Sequence, residues 1–397
     1  MSRAPSSPGA FEVDGTCDPR FAAVGDAFRA NFAERGELGA ALCVRLGGRS
    51  VVDLWGGFRD RGATRRWRRD TLVNAYSVGK GLLAMLALQL VDRGRLGLDR
   101  PVAEPWPEFA AEDKGTVSLR ELLSHRAGLP AVRERLPEDA MYDWSRMCAA
   151  LAGQAPYWRP GTRHGYHCNT LGFLVGELIR RATGTRVGDA LREHVTGPAE
   201  AEFHFGLPAD RHARVAEVDA PQVVFSGPEQ WAQAFPPTGD ARHDEMIWHT
   251  YFNPSGLSGM GTVNTRAWRE AVIPSTNGHG TARGVARAYE SFVCGGPGRR
   301  PSVSPALHAD ATTVQVDGDD LVLGRPSRFG LGFQLPRPER PLGPNAGAYG
   351  HYGYGGSLGF ADPDLGLGFG FLTNRPGDRW QTPRTQALVD ALYGALA

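Results

Sequence analysis

Lysine is nearly missing from this sequence: of 44 lysine and arginine side chains, only Lys80 and Lys114 are lysines. The arginine excess reads as the codon bias of a GC-rich genome rather than as a binding patch. Long runs of like charge are missing too. The densest is RRWRR, Arg65 to Arg69, which reads as a solvated loop or helix face, and the formal net charge is +1. Neither nucleic acid nor an anionic membrane is an expected partner. No apolar stretch approaches the roughly 18 residues of a membrane span, and the N-terminal MSRAPSSPGAFEVDG carries no apolar segment of a secretory signal. The cysteines, Cys17, Cys43, Cys148, Cys168 and Cys294, show neither CxxC nor metal-type spacing, and a chain this large needs no disulfide staples. They read as free thiols in a reducing compartment, and the expected location is cytoplasmic.

A chain of 397 residues exceeds the size at which one core keeps growing, so one large two-lobed domain or two domains sharing a cleft are expected. Residues 1–17, rich in Pro, Ser and Gly, read as a flexible lead-in. Phe21, Val24, Phe28 and Phe32 recur at helical spacing. GAALCVRL and SVVDLWGG are β-rich runs around Gly47-Gly48, a hairpin signal. Helices are expected at Gly81–Arg93, Leu119–Leu123 and Thr170–Ala182, from near Thr281, and from Thr382, whose hydroxyl can cap the last one ahead of Pro383. Strands return in RFGLGFQL, YGHYGYG, SLGFADP and LGLGFGFLTN, the last two joined at Asp362-Pro363-Asp364. Strands at both ends and helices between predict an α/β (α+β) architecture, one antiparallel sheet completed by the two termini. Residues 18–76 and 278–397 would form the sheet lobe and 77–277 an inserted, mostly helical lobe, with a cleft between them.

Two serines compete as nucleophile. GGSLG, Gly355 to Gly359, matches G-x-S-x-G, but that pattern needs a strand-to-helix elbow and a later histidine, and no histidine follows His351. Ser357 therefore reads as a small residue in a packed strand. In YSVGK, helical spacing puts Ser77 and Lys80 on one face. Residues 82–88 are all apolar, so this helix is central and its lysine lies at the edge of a buried region. Burial and the helix N-terminus lower the amine's pKa, and a neutral amine is the base a serine hydroxyl needs. A serine cap beside a snorkelling lysine would give the same four residues, so S-x-x-K alone does not decide.

Downstream segments add to it. LRELLSHRAGLP resembles the LL-(T/S)-H-x-(S/A)-G-L segment of class C β-lactamase-like proteins. RPGTRHGYHCNTLGFLVGEL is similar to their P-G-x(4)-Y-x-N segment, and GHYGYGGSLGFADPDLGLGFGFLTNR looks like the H-x-G version of the K-T-G strand in their esterase-like members. IPSTNGHGTARGVARAY is similar to a helix entry those members carry. From about Phe21 to the C-terminus the chain resembles the serine β-lactamase and penicillin-binding-protein superfamily, and family VIII carboxylesterases within it.

The resemblance implies a β-lactamase/transpeptidase-like fold and a Ser77 acyl-enzyme. Lys80 and Tyr166 would move the proton, the phenol's pKa being lowered by the adjacent ammonium. The N–H groups of Ser77 and Tyr354 would form the oxyanion hole. His351, Tyr352, Gly353, Cys168 and Asn169 would contact substrate. Two departures bear on that substrate: Tyr166-His167-Cys168 replaces Y-x-N, with Asn169 one place late, and His351-Tyr352-Gly353 replaces K-T-G. A neutral histidine is a weaker anion clamp than lysine, so an uncharged acyl or alkyl ester is expected rather than a penicillin or D-Ala-D-Ala. Lys80 answers to a requirement arginine cannot meet, an amine able to be neutral. Acyl transfer to an alcohol or amine is the nearest rival; β-lactamase or D-peptidase activity, and a non-catalytic binding role, stand further off. No cofactor or metal is expected: His243 and His249, or His164 and His167, lack zinc-type partners, His125 reads as structural, and GLGFGF lacks the setting of a dinucleotide loop. The sequence leaves the oligomeric state open, and the stretch Phe225–Tyr251, with Trp231 and Trp248, could be pocket wall, lid or oligomer contact.

Overall fold

The computed structural model describes residues 11–220, 237–294, 301–378 and 380–397. Its main sheet draws on both ends of the chain. From the N-terminal side come β1 (Val13–Cys17), β2 (Gly39–Leu46) and β3 (Arg49–Gly57). Short β4 (Val73–Asn74), β5 (Phe203–His204) and β6 (His279–Gly280) form a separate small sheet, and β7 (Val316–Asp320) pairs with β8 (Arg325–Phe329). The C-terminal side adds β9 (Tyr349–Tyr352), β10 (Leu358–Asp362) and β11 (Leu367–Thr373), giving the order β1-β3-β2-β11-β10-β9, antiparallel throughout. Gly47 and Gly48, at φ +54° and +83°, make the two-residue turn expected between β2 and β3.

The longer helices are α1 (Ala22–Glu34), α2 (Val78–Asp92), α3 (Trp144–Gly153), α4 (Leu171–Thr183), α5 (Ala241–Phe252), α6 (Ala282–Cys294), α7 (Pro305–Thr312) and α8 (Pro383–Leu396). On one sheet face Phe28 and Phe32 of α1 and Leu388 and Leu392 of α8 bury against Phe360, Phe369 and Phe371. On the other face α6 lies so close to β11 that a Cβ on Gly370 would meet the Ala282 carbonyl at 2.2 Å. Gly368 and Gly370 of GLGFGF thus serve helix–sheet approach. Beyond α6 the core continues into α2, which is buried from Val78 to Leu90. Its all-round apolar character is what permits that position.

Two expectations fail here. Val13–Cys17, read as part of a flexible lead-in, is an edge strand paired with β3; residues 1–10 of that segment lie outside the described residues. Gly15 sits at φ +115°, where a Cβ would be 2.0 Å from the Asp53 carbonyl, so the strand's centre approaches β3 through backbone while Val13 and Cys17 pack on the core. RFGLGFQL is not one strand either: β8 ends at Phe329, and Gly332 packs its backbone onto α2, where a Cβ would come within 2.5 Å of Ala84 Cβ.

Candidate active site

Ser77 precedes α2 with helical φ and ψ, and its hydroxyl makes no capping bond to the helix. Instead its Oγ accepts a 2.9 Å hydrogen bond from Lys80 Nζ, which also donates to the Ser275 carbonyl at 2.9 Å. Lys80 is fully buried, and burial brings its pKa down to about 8, with the neighbouring Cys168 opposing. The serine-cap arrangement is therefore not the one present.

Tyr166 arrives from the loop before α4. Its backbone N–H donates to Asp320 Oδ1 at 3.0 Å, and its ring stacks on Phe329 and meets His125 and Trp380 edge-on at 5.0 and 5.2 Å. Lys80 Nζ lies 4.8 Å from the centre of the Tyr166 ring. Burial drives the Tyr166 hydroxyl well above its ordinary pKa, followed by Cys168, while a hydrogen bond with Ser77 pulls the other way. This corrects the expected lowering: with the phenol deep in the protein, desolvation wins, and Tyr166 rests protonated.

His351 stands behind the tyrosine, its Nε2 3.5 Å from the Tyr166 hydroxyl. Its Nδ1 is 2.7 Å from the Tyr352 carbonyl, which can only accept. Nδ1 therefore carries the proton and Nε2 is left to accept from Tyr166. Burial, then Lys80, depresses the His351 pKa to about 3, so the ring is neutral.

A cleft of about 890 Å³ opens over Ser77 and Tyr166. Cys168 and Asn169 reach its wall, as does Tyr354, whose ring lies 5.4 Å from Tyr76. The Asn169 amide is already engaged, donating to the Thr250 carbonyl and Ser258 and accepting from Thr276. His351, Tyr352 and Gly353, expected to contact substrate, do not line the cleft. Strand alternation explains the first two: His351 points inward to Tyr166, while Tyr352 is buried in the core under α8. Gly353 instead lets β9 run against the approach to α2, where a Cβ would be 2.4 Å from the Ala75 carbonyl. That brings Tyr354 to the start of α2. Ser357, just ahead of β10, is buried, its Oγ accepting from the Thr373 N–H at 3.3 Å.

Sequence reasoning missed Ser275, Asp320 and Trp380, which hold or flank the lysine and tyrosine. Ser275 lay within the quoted IPSTNGHG segment; nothing local marked the other two. From the Trp-rich stretch, Ile247, Tyr251 and Phe252 of α5 face the cleft, whereas Trp248 packs behind them without lining it and Phe225 and Trp231 lie outside the described residues.

Compared with known families, residues 25–392 match the model of the Beta-lactamase family. The chain belongs to that family. Its fold is the β-lactamase/transpeptidase-like one, mixing helices with antiparallel sheet. Within the Beta-lactamase family it is 34% identical over 376 residues to esterase/beta-lactamase LipL of Mycobacterium tuberculosis, covering 91% of this chain and 83% of that one. It is 28% identical over 432 residues to esterase EstB of Burkholderia gladioli, covering 99% and 100%. The crystal structure of a family VIII carboxylesterase superposes with a TM-score of 0.86 at 37% identity, covering 97% of this chain and all of that one. No helix among the described residues of this Beta-lactamase family enzyme is long and apolar enough to cross a membrane.

Proposed function

We propose that this enzyme is a carboxylesterase that cleaves small acyl esters through an acyl-enzyme on Ser77. The observation that carries the reading is the 2.9 Å contact between Ser77 Oγ and a buried amine whose pKa has fallen to about 8. Neutral Lys80 takes the Ser77 proton as Oγ bonds to the ester carbonyl carbon. The N–H groups of Ser77 and Tyr354 receive the developing oxyanion. Tyr166 then gives its proton to the departing alkoxide, and the proton held by Lys80 returns to the phenol. In the second half a water is deprotonated by the same pair, attacks the acyl carbon and releases the acid and Ser77. The apolar side chains of Ile247, Tyr251, Phe252, Met260 and Val322 along the cleft favour a hydrocarbon acyl group.

The test is hydrolysis of p-nitrophenyl acetate and butyrate by wild type, Ser77→Ala and Tyr166→Phe. Each substitution should cost about 100-fold or more, because both residues belong to one proton path. Retained activity in Ser77→Ala would overturn the nucleophile. With an added alcohol, product analysis separates hydrolysis from acyl transfer, and turnover of a chromogenic cephalosporin at rates rivalling the esters would favour a β-lactamase.

A further inference from the structure

Arg325 is a cation in the cleft that this mechanism leaves unused. It opens β8, half-buried in the wall of the cleft that holds Ser77. Its guanidinium carbon lies 4.9 Å from the centre of the Trp380 ring. The same indole stands 5.2 Å from Tyr166 and 6.3 Å from His351. One aromatic ring therefore separates this cation from the tyrosine of the proton path.

The nearby acids are committed elsewhere. Asp320 accepts from the N–H groups of Tyr166, Val322 and Leu323 and from the Ser327 hydroxyl. Glu339 pairs with Arg337 and Arg340 at 2.5 and 3.2 Å. Asp244 holds the N–H and hydroxyl of Thr238, and exposed Asp378 acts on Tyr354. Among the described residues no carboxylate lies within ion-pair distance of Arg325, and no acceptor bonds its guanidinium. Burial lowers the pKa of this half-buried guanidinium, and Asp320, Tyr251 and Glu339 oppose it only through longer-range charge, not through a contact.

We propose that the cleft accepts esters carrying a carboxylate at the end remote from the reacting carbonyl, and that Arg325, backed by Trp380, binds that carboxylate. The ester half of this statement rests on the function proposed above; the anion half rests on Arg325 alone. The expectation of an uncharged substrate then holds beside Ser77, where the family's lysine is replaced by a neutral histidine, but not beside Trp380. A planar carboxylate suits the paired N–H edge of a guanidinium. Among the described residues of the cleft, a phosphate dianion would meet one unpaired guanidinium alongside Glu339, Asp244 and Asp378.

Calorimetry on Ser77→Ala separates the two halves. Monomethyl adipate should bind about 10-fold or more tightly than dimethyl adipate, the gain expected of a charge-assisted hydrogen-bonded pair. In Ser77→Ala/Arg325→Gln the preference should vanish, and Arg325→Lys should restore part of it. In turnover, the kcat/KM ratio of the p-nitrophenyl monoester of adipic acid to p-nitrophenyl butyrate should fall about 10-fold in Arg325→Gln. Equal binding of monoester and diester, an unchanged preference in Arg325→Gln, or tighter binding of inorganic phosphate than of the monoester would overturn the proposal. Should the monoester bind as stated while no ester is turned over, the carboxylate site stands and the esterase reading fails.

Discussion

Lys80 Nζ sits 2.9 Å from Ser77 Oγ in a pocket where, among the described residues, no carboxylate pairs with it. Because burial alone brings its pKa to about 8, the resting enzyme holds a usable fraction of free amine near neutrality. The rate should follow that fraction. The kcat/KM for p-nitrophenyl butyrate is expected to rise with pH to an inflection near 8, falling about tenfold per unit below it. Lys80→Arg, fixed in the charged form, should lose at least about 100-fold at every pH. A pH–rate profile without an inflection near 8 would take the base role away from Lys80.

The same burial sets a stability cost. Unfolded, Lys80 titrates at 10.5; folded, at about 8. Between those values the unfolded chain holds more proton, so stability climbs as pH rises through the window, and below 8 the full cost is present. That cost is about 3 kcal/mol at most, of which a Ser275 carbonyl left unpartnered would offset about 1. Lys80→Met should therefore be more stable than wild type by about 2 kcal/mol at pH 7, with the gain shrinking toward pH 10, measured by urea unfolding. A less stable variant at pH 7 would mean the amine contributes to the fold as well as to the chemistry.

The contact of Ser77 with Lys80 was legible because helical spacing places residues three apart on one face, a relation local to the sequence, but only the downstream motifs separated it from a capping serine. The β2–β3 hairpin and the closing helix were legible for the same reason, through Gly47-Gly48 and Thr382-Pro383. What escaped was non-local. Asp320, which fixes the Tyr166 backbone, lies 154 residues later on a hairpin with no hydrophobic alternation. β1 has an exposed centre, Asp14, Gly15 and Thr16, with only its end residues Val13 and Cys17 packed on the core. For His351 and Tyr352 the strand was legible, but which neighbour faced the site depended on the sheet's packing. The direction of the Tyr166 pKa was misjudged because a nearby charge was visible in the motif and the depth of burial was not.

Gly353 offers a check on the proposed oxyanion arrangement that alters no proton-moving side chain. A Cβ there would lie 2.4 Å from the Ala75 carbonyl, a contact that backbone on both sides must yield to relieve. Gly353→Ala should displace the Tyr354 N–H and lower kcat by about 100-fold, the loss typical of one oxyanion donor, with the Lys80 inflection near 8 retained. Full activity in this variant would remove Tyr354 from the mechanism.

Three buried histidines outside that path bear on acid stability. Burial depresses His279 and His351 to about 3 and His167 to about 4. Unfolded, each titrates near 6.5, so between there and its folded value the unfolded chain binds more proton. Stability is thus present above 6.5 and lost as pH falls. His279, on β6 and not among the residues lining the cleft, isolates the effect: its imidazole is fully buried, and the Asn277 backbone only partly offsets that burial. In urea unfolding, the stability lost by wild type between pH 7 and pH 5 should be about 2 kcal/mol smaller in His279→Gln. Identical losses in the two proteins would place the acid sensitivity in carboxylates rather than in this buried, neutral imidazole.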